Sequence, residues 1–159
     1  METQTKTLTL TIGSTAFEPK GFIPAKHTCQ GENINPGITI ENIPAGTKSL
    51  ALIVDDPDAP GGIFDHWVIW NVRPMEMIIE NTAPGVEGKN SFGTNNYKGP
   101  CPSTGTHRYF FKVFALDSLL KVQEGADRKT VEKAMERHIV AEGVLIGMYR
   151  KTKIEKTQD

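Results

Sequence analysis

Fifteen glycines and ten prolines are spread through these 159 residues, about one position in six. A chain broken by turns this often does not build a helical bundle. It builds short strands joined by loops. The length fits one domain, residues 1–159, and a domain of this size can bury a core without disulfide or metal staples. A hydrophobic fraction of 38% against 23% charged excludes wholesale disorder. Eighteen Lys+Arg against nineteen Asp+Glu leave a formal charge of -1. That balance carries no electrostatic footprint for nucleic acid.

The strand signals are local. Leu8, Leu10 and Ile12 alternate with threonines over Lys6–Ile12, the pattern of a half-buried strand. Gly37–Ile43 reads as a short strand. Leu50–Val54 is a continuous apolar run between turn residues, as in a strand buried on both faces. His66–Val72 and the aromatic-rich Tyr109–Leu116 are two more. Pro74–Pro102 is rich in Gly and Pro and reads as irregular surface structure. One helix is expected over 128–142. Asp127 is its N-cap, Val131, Ala134, Met135 and His138 form its apolar face, and Gly143 ends it. Val144–Lys151 resumes a strand pattern, and 152–159 is a polar tail expected to fray. The predicted fold class is mainly β, an antiparallel β-sandwich with one late helix.

Met1–Thr11 has no apolar h-region, and no run is long enough to span a membrane. Neither a signal peptide nor stable membrane insertion is expected, and a cytoplasmic address is the default. Cys29 and Cys101 lie 72 residues apart, which is neither a metal-ligand spacing nor a disulfide framework. No cofactor and no metal is expected.

Three segments carry chemistry. Asp55-Asp56-Pro57-Asp58-Ala59-Pro60-Gly61-Gly62 follows the run Leu50–Val54 directly. Pro57 keeps Asp56 out of the α region, so Asp56 and Asp58 can face one side of an extended chain. Asp65-His66-Trp67 opens the next strand across a short connection, which brings His66 near that pair. Gly99-Pro100-Cys101-Pro102 stiffens the backbone into what could be a pocket wall, and it leads through Ser103-Thr104-Gly105-Thr106 to His107-Arg108-Tyr109. His107, Tyr109 and Phe111 share a strand face. Taken singly, each segment is also what an ordinary polar loop or strand end looks like.

Together, the order and spacing of Asp56-Pro57-Asp58-Ala59-Pro60, His66-Trp67, Gly99-Pro100 and Pro102 through His107-Arg108-Tyr109 resemble the phosphatidylethanolamine-binding protein family, which includes the Raf kinase inhibitor proteins and plant flowering-time regulators. The resemblance covers roughly residues 8–150. The short connection from Gly61 to His66 and the segment Thr28–Pro36 are similar to the compact bacterial and archaeal branch. The resemblance implies an antiparallel sandwich with a small, solvent-open pocket for phosphate-like anions. Carried onto this chain, its lining is Asp56, Asp58, His66, Pro100, His107 and Tyr109. Eukaryotic members gate the pocket with a C-terminal helix. Val144–Lys151 is followed here by only eight residues, seven of them polar, so no such gate is expected, and the lipid and kinase binding of those relatives is not implied by the resemblance.

Three functions compete. The first is a binding module for a small anionic ligand such as a phosphorylated head group, with Tyr109, imidazole N–H groups and backbone amides as donors. The second is a metal- or acid/base-dependent hydrolase using the two carboxylates and two histidines. No Ser or Cys stands in a recognisable nucleophile motif to support it. The third is a module that regulates a kinase or another protein partner, an inference from analogy alone.

Further expectations concern details. Cys29 and Cys101 are placed close in space beside the pocket, remaining thiols in a reducing cytosol. Trp67 and Trp70, offset by an odd number, are placed on opposite strand faces, with Trp70 on the face of His66. One indole is then exposed and offers a contact for a homodimer. A pocket holding Asp56 and Asp58 repels an anion unless something is protonated. The expected sites are His66 and His107, which adjacent carboxylates would raise, or a proton shared by the two aspartates.

Overall fold

The computed structural model describes residues 7–152. Lys6 and residues 153–159 lie outside that range. In chain order the elements are β1 (Leu8–Thr9), β2 (Thr11–Ser14), β3 (Ile38–Glu41), β4 (Ser49–Asp56), β5 (Phe64–Val72), β6 (Met77–Ile78), β7 (Val86–Glu87), β8 (His107–Leu116), α1 (Arg128–Met135) and β9 (Ile139–Tyr149). They form a six-stranded sheet, β1-β9-β8-β4-β5-β7, and a three-stranded sheet, β2-β3-β6. Neighbouring strands run antiparallel, except β1, which lies parallel to β9. No helix among the described residues is long and apolar enough to cross a membrane.

Three layers result. Ile12, Ile38, Ile40 and Ile78 of the small sheet pack against Leu52, Val54, Trp67, Phe111 and Leu145 of the large one. On the other face of the large sheet, Ala51, Ile53, Val68 and Trp70 pack under Val131 and Met135 of α1. All eight residues of β4 are therefore buried. This is why Leu50–Val54 reads as a continuous apolar run rather than an alternation.

The first expected strand divides. Leu8 pairs in β1 while Thr11–Ser14 pair in the other sheet with β3. Leu10, at the crossing, is buried and donates its N–H to the Glu142 carbonyl at 2.9 Å, whereas Leu8 stays exposed. β6 and β7 fall within the segment expected to be irregular. Thr152, the first residue of the tail expected to fray, is tied through its N–H and carbonyl to the Gln30 side chain at 3.0 and 2.8 Å.

The helix begins as expected and ends early. Asp127 caps it, its side chain accepting from the Thr130 N–H at 3.0 Å. It stops at Met135 instead of 142, because Arg137 takes a left-handed conformation with φ 72°. The β-branched Ile139 and Val140 then open β9. His138 is not on a helix face at all; it is exposed and bonds Asp117. Gly143 lies inside β9, not at a helix end. A Cβ there would collide with the Leu10 carbonyl.

The β4–β5 register contains two irregularities. Val54 pairs with Trp67, but Asp55 pairs with Asp65, so His66 is the extra residue of a β-bulge. The bulge brings His66 onto the face of Trp67, reversing the expected assignment. Trp70 faces α1 instead. Trp67 is 1% exposed and Trp70 0%, so neither indole is available for the expected dimer contact. The Trp67 Nε1–H donates to Glu87 at 2.7 Å.

Gly143→Ala should push β1 away from β9. We expect a loss of about 1–3 kcal/mol in urea denaturation. Gly61→Ala, where an added Cβ meets nothing within 4 Å, should leave the midpoint within about 0.5 kcal/mol of the parent. Equal midpoints for the two variants would refute the close-approach reading.

Candidate functional site

One end of the large sheet gathers the titratable groups. Asp56 closes β4, one step beyond the last ladder pair Asp55–Phe110, and so comes level with Tyr109 on β8. Period two puts His107, Tyr109 and Phe111 on one buried face, while Arg108, Phe110 and Lys112 turn away. The bulge in β5 then delivers His66 to the same place. Its ring meets Tyr109 edge-on, with centroids 5.3 Å apart.

The resulting cavity, about 170 Å³, has Asp56, His66, His107 and Tyr109 as its main polar groups. Ala59, Pro60, Phe64, Phe92 and Pro102 supply apolar wall, and Cys101 and Ser103 complete the lining. Most of this wall escaped the sequence reading. Phe64 was legible in principle, two positions before His66 on a strand. Phe92 was not, since it arrives from the loop after β7. That loop is organised by buried Asn90, whose Oδ1 accepts from the N–H groups of Phe92 and Thr94 at 2.9 and 3.1 Å.

Two expected lining residues do not face the cavity. Asp58 is diverted because its own N–H bonds Asp56 Oδ1 at 2.8 Å, which turns the chain out of the extended form. Its carboxylate then takes three bonds from Arg108, from the backbone N–H and Nε at 2.9 Å and from Nη2 at 2.8 Å. The Arg108 guanidinium holds Asp58 down at about 2. Pro100 is buried behind the wall, its carbonyl accepting from the Cys29 N–H at 3.1 Å. Pro102 takes its place.

Asp56 is 3% exposed and fully engaged. One oxygen accepts from Asp58 N–H, the other from His107 Nδ1–H at 2.6 Å. That bond fixes the imidazole and leaves Nε2 as its remaining ring nitrogen. His66 donates its Nδ1–H to the Lys98 carbonyl at 2.7 Å. Burial pushes the His66 imidazole below its ordinary value, outweighing that bond and the nearby Asp56 charge. The expectation that carboxylates raise it is therefore corrected. The Tyr109 phenol is fully buried and makes no hydrogen bond of normal geometry among the described residues, with the Asp56 carboxylate and the Cys101 backbone as the polar groups near it. Burial first, and the Asp56 charge second, push its ionisation up, so it is an O–H donor at any physiological pH. Among the described residues no three His, Cys, Asp or Glu side chains converge as metal ligands.

The expected proximity of the cysteines holds, but not their free state. Cys29 and Cys101 form a disulfide with Cα atoms 5.4 Å apart. The spacing argument failed because the 72-residue separation says nothing about two loops that the fold lays side by side.

This is a three-layer β-sandwich with a small, mostly apolar pocket built round a carboxylate–imidazole pair at one sheet end. The chain belongs to the phosphatidylethanolamine-binding protein family, whose profile matches residues 13–150. It is 46% identical over 144 residues to the UPF0098 protein of Methanothermobacter thermautotrophicus, covering 86% of this chain and 95% of that one. It is equally identical over 149 residues to a UPF0098 protein of Pyrococcus abyssi, covering 87% and 84%. Among solved structures, a phosphatidylethanolamine-binding protein homologue from Chlamydia trachomatis superposes with a TM-score of 0.88 at 36% identity, covering 91% of this chain and 99% of that one. YbcL of E. coli, described as a member of the mammalian family, superposes with a TM-score of 0.83 at 27% identity, covering 90% and 99%.

The depressed His66 titration has a sign that can be tested. Below the ordinary histidine value of ~6.5 the unfolded chain takes up a proton that folded His66 refuses. Its contribution to stability, complete above that pH, should be lost as pH falls toward the lower folded value. We expect the melting temperature of the wild type to fall more steeply between pH 7 and 5 than that of His66→Gln. Parallel curves would contradict the assignment.

Proposed function

We propose that this protein binds a small oxyanion, such as the phosphate-like group of a phosphorylated head group, in the Asp56–His66–His107–Tyr109 pocket. The observation that carries the reading is the Tyr109 phenol. A buried hydroxyl without a well-formed hydrogen bond costs up to about 1–3 kcal/mol, and an oxyanion in the cavity would complete that bond. Apolar walls exclude water and strengthen any charged hydrogen bond made inside them. A cavity of about 170 Å³ takes a head group but not acyl chains.

The charge conflict resolves differently from the sequence expectation. Asp58 belongs to Arg108, so the two aspartates share no proton. Burial disfavours a proton on His66. The remaining group is His107. Its Nδ1–H is committed to Asp56, so a proton taken up at Nε2 creates a second donor, with the Asp56 carboxylate as counter-charge. Anion binding then draws in a proton.

Sulfate avoids the phosphate's own titration near ~6 and is the better probe. Its affinity, measured by calorimetry, should rise as pH falls from about 8 to about 5.5. His107→Ala should remove that dependence. Tyr109→Phe should weaken binding roughly tenfold at each pH. Asp58→Asn should change it little. An affinity that is flat or rises with pH would sink the proposal.

A further inference from the structure

Cys29 and Cys101 are the chain's two cysteines, and their bond runs from solvent into the pocket. Cys29 is exposed. Cys101 lines the cavity that holds Asp56, His66 and His107. The bond is not what holds the two loops together. The Cys29 N–H reaches the Pro100 carbonyl at 3.1 Å, the Gly99 N–H reaches Asn33 Oδ1 at 2.7 Å, and the buried Tyr97 hydroxyl reaches the His27 carbonyl at 2.7 Å. The loops also pack so closely that a Cβ on Gly99 would collide with that same His27 carbonyl. A domain of this length, with an apolar cluster on each face of its main sheet, does not need a covalent staple either.

These contacts have a consequence for the open form. They keep the two loops side by side and the two thiols within reach after the bond is cut, so closure is an intramolecular reaction at high effective concentration. What the cut releases is the wall. Cys101 stands between two prolines that fix its neighbours' backbone, and it leads into the exposed segment Ser103–Thr106 at the pocket rim. Freed from Cys29, its side chain can change rotamer and reshape a cavity of only about 170 Å³.

We propose that Cys29–Cys101 is a reversible thiol–disulfide site through which a dithiol reductant converts the pocket from a tight to a loose form. A thiolate of the reductant attacks the exposed Cys29 Sγ. The S–S electron pair leaves on Cys101 Sγ, which takes a proton. The second thiol of the reductant then displaces Cys29 Sγ, which is protonated in turn, and the reductant departs as its own disulfide. Two electrons and two protons have passed to the protein. The effect on the pocket's affinity rests on the oxyanion reading; the switch itself does not.

The test uses the whole protein and dithiothreitol. Thiols are trapped by alkylation and counted by mass spectrometry while circular dichroism follows the fold. Both cysteines should become alkylated with the native spectrum intact, and oxidation of an untrapped sample should restore the bridged mass. The imidazole resonances of His66 and His107 should move on reduction and return on oxidation. Sulfate should bind the reduced form roughly fivefold or more weakly. Cys29→Ser, which cannot close, should match the reduced wild type in both readouts. Alkylation only after the spectrum is lost would overturn the proposal. So would identical imidazole resonances in the two forms, or equal sulfate affinity. If neither form takes up sulfate, the oxyanion reading fails, and the imidazole resonances alone decide the switch.

Discussion

Two consecutive carboxylates are buried at the end of the central strand. Asp55 is 1% exposed and Asp56 3%, and β geometry points them to opposite faces of the sheet. A buried charge without a partner is among the costliest features a fold can carry. Each face of the molecule answers one of them. On the helix side, Arg128 bonds Asp55 at 2.7 Å and Asp65 at 2.9 Å, and Lys112 adds a contact to Asp55 at 2.9 Å. On the other side, His107 bonds Asp56. Arg128 is the first residue of α1, so its bond to Asp55 ties the start of the helix to the sheet. The need to satisfy Asp56 fixes the imidazole on which the pocket is built.

The strands were legible because each is a local pattern, and β4 most of all. Its unbroken apolar run reports burial on both faces, which is a fact about layers as well as about secondary structure. The start of the helix was legible because Asp127 is a side-chain cap. Its end was not, because a left-handed Arg137 leaves no mark in the sequence and His138 matched the helical spacing by chance. The faces of β5 were misassigned for a different reason. A bulge is a property of two paired strands, and nothing in Asp65-His66-Trp67 alone reveals that Asp55 skips a residue to meet Asp65.

The site was legible to the same extent. Asp56, His66, His107 and Tyr109 meet in one cavity because they sit at strand ends, where period two and chain reversals are predictable. Asp58 failed because the extended form assumed for it competes with a local bond to Asp56 Oδ1, and that bond prevails. The apolar wall failed because loop geometry depends on single buried amides such as Asn90, whose partners are set by tertiary position. The aspartate pair looked symmetric in sequence, yet one member ends up buried in the pocket wall and the other in a surface ion pair with an arginine.

The short crossing at Leu10 bears on when this fold can form during synthesis. Through β1 the first strand pairs with β9, whose partner residues Ala141 and Glu142 are about 130 positions downstream. β8, which holds His107 and Tyr109, also has β9 as its outer neighbour along nearly its whole length. A ribosome releases β1 first and β9 last of these strands. The early segments must wait, unpaired on one side, until the late one emerges. The strands that carry Asp56, His66, His107 and Tyr109 pair with one another without β9, so the pocket can assemble first, and β9 then closes the outer edge of β8 and fixes β1.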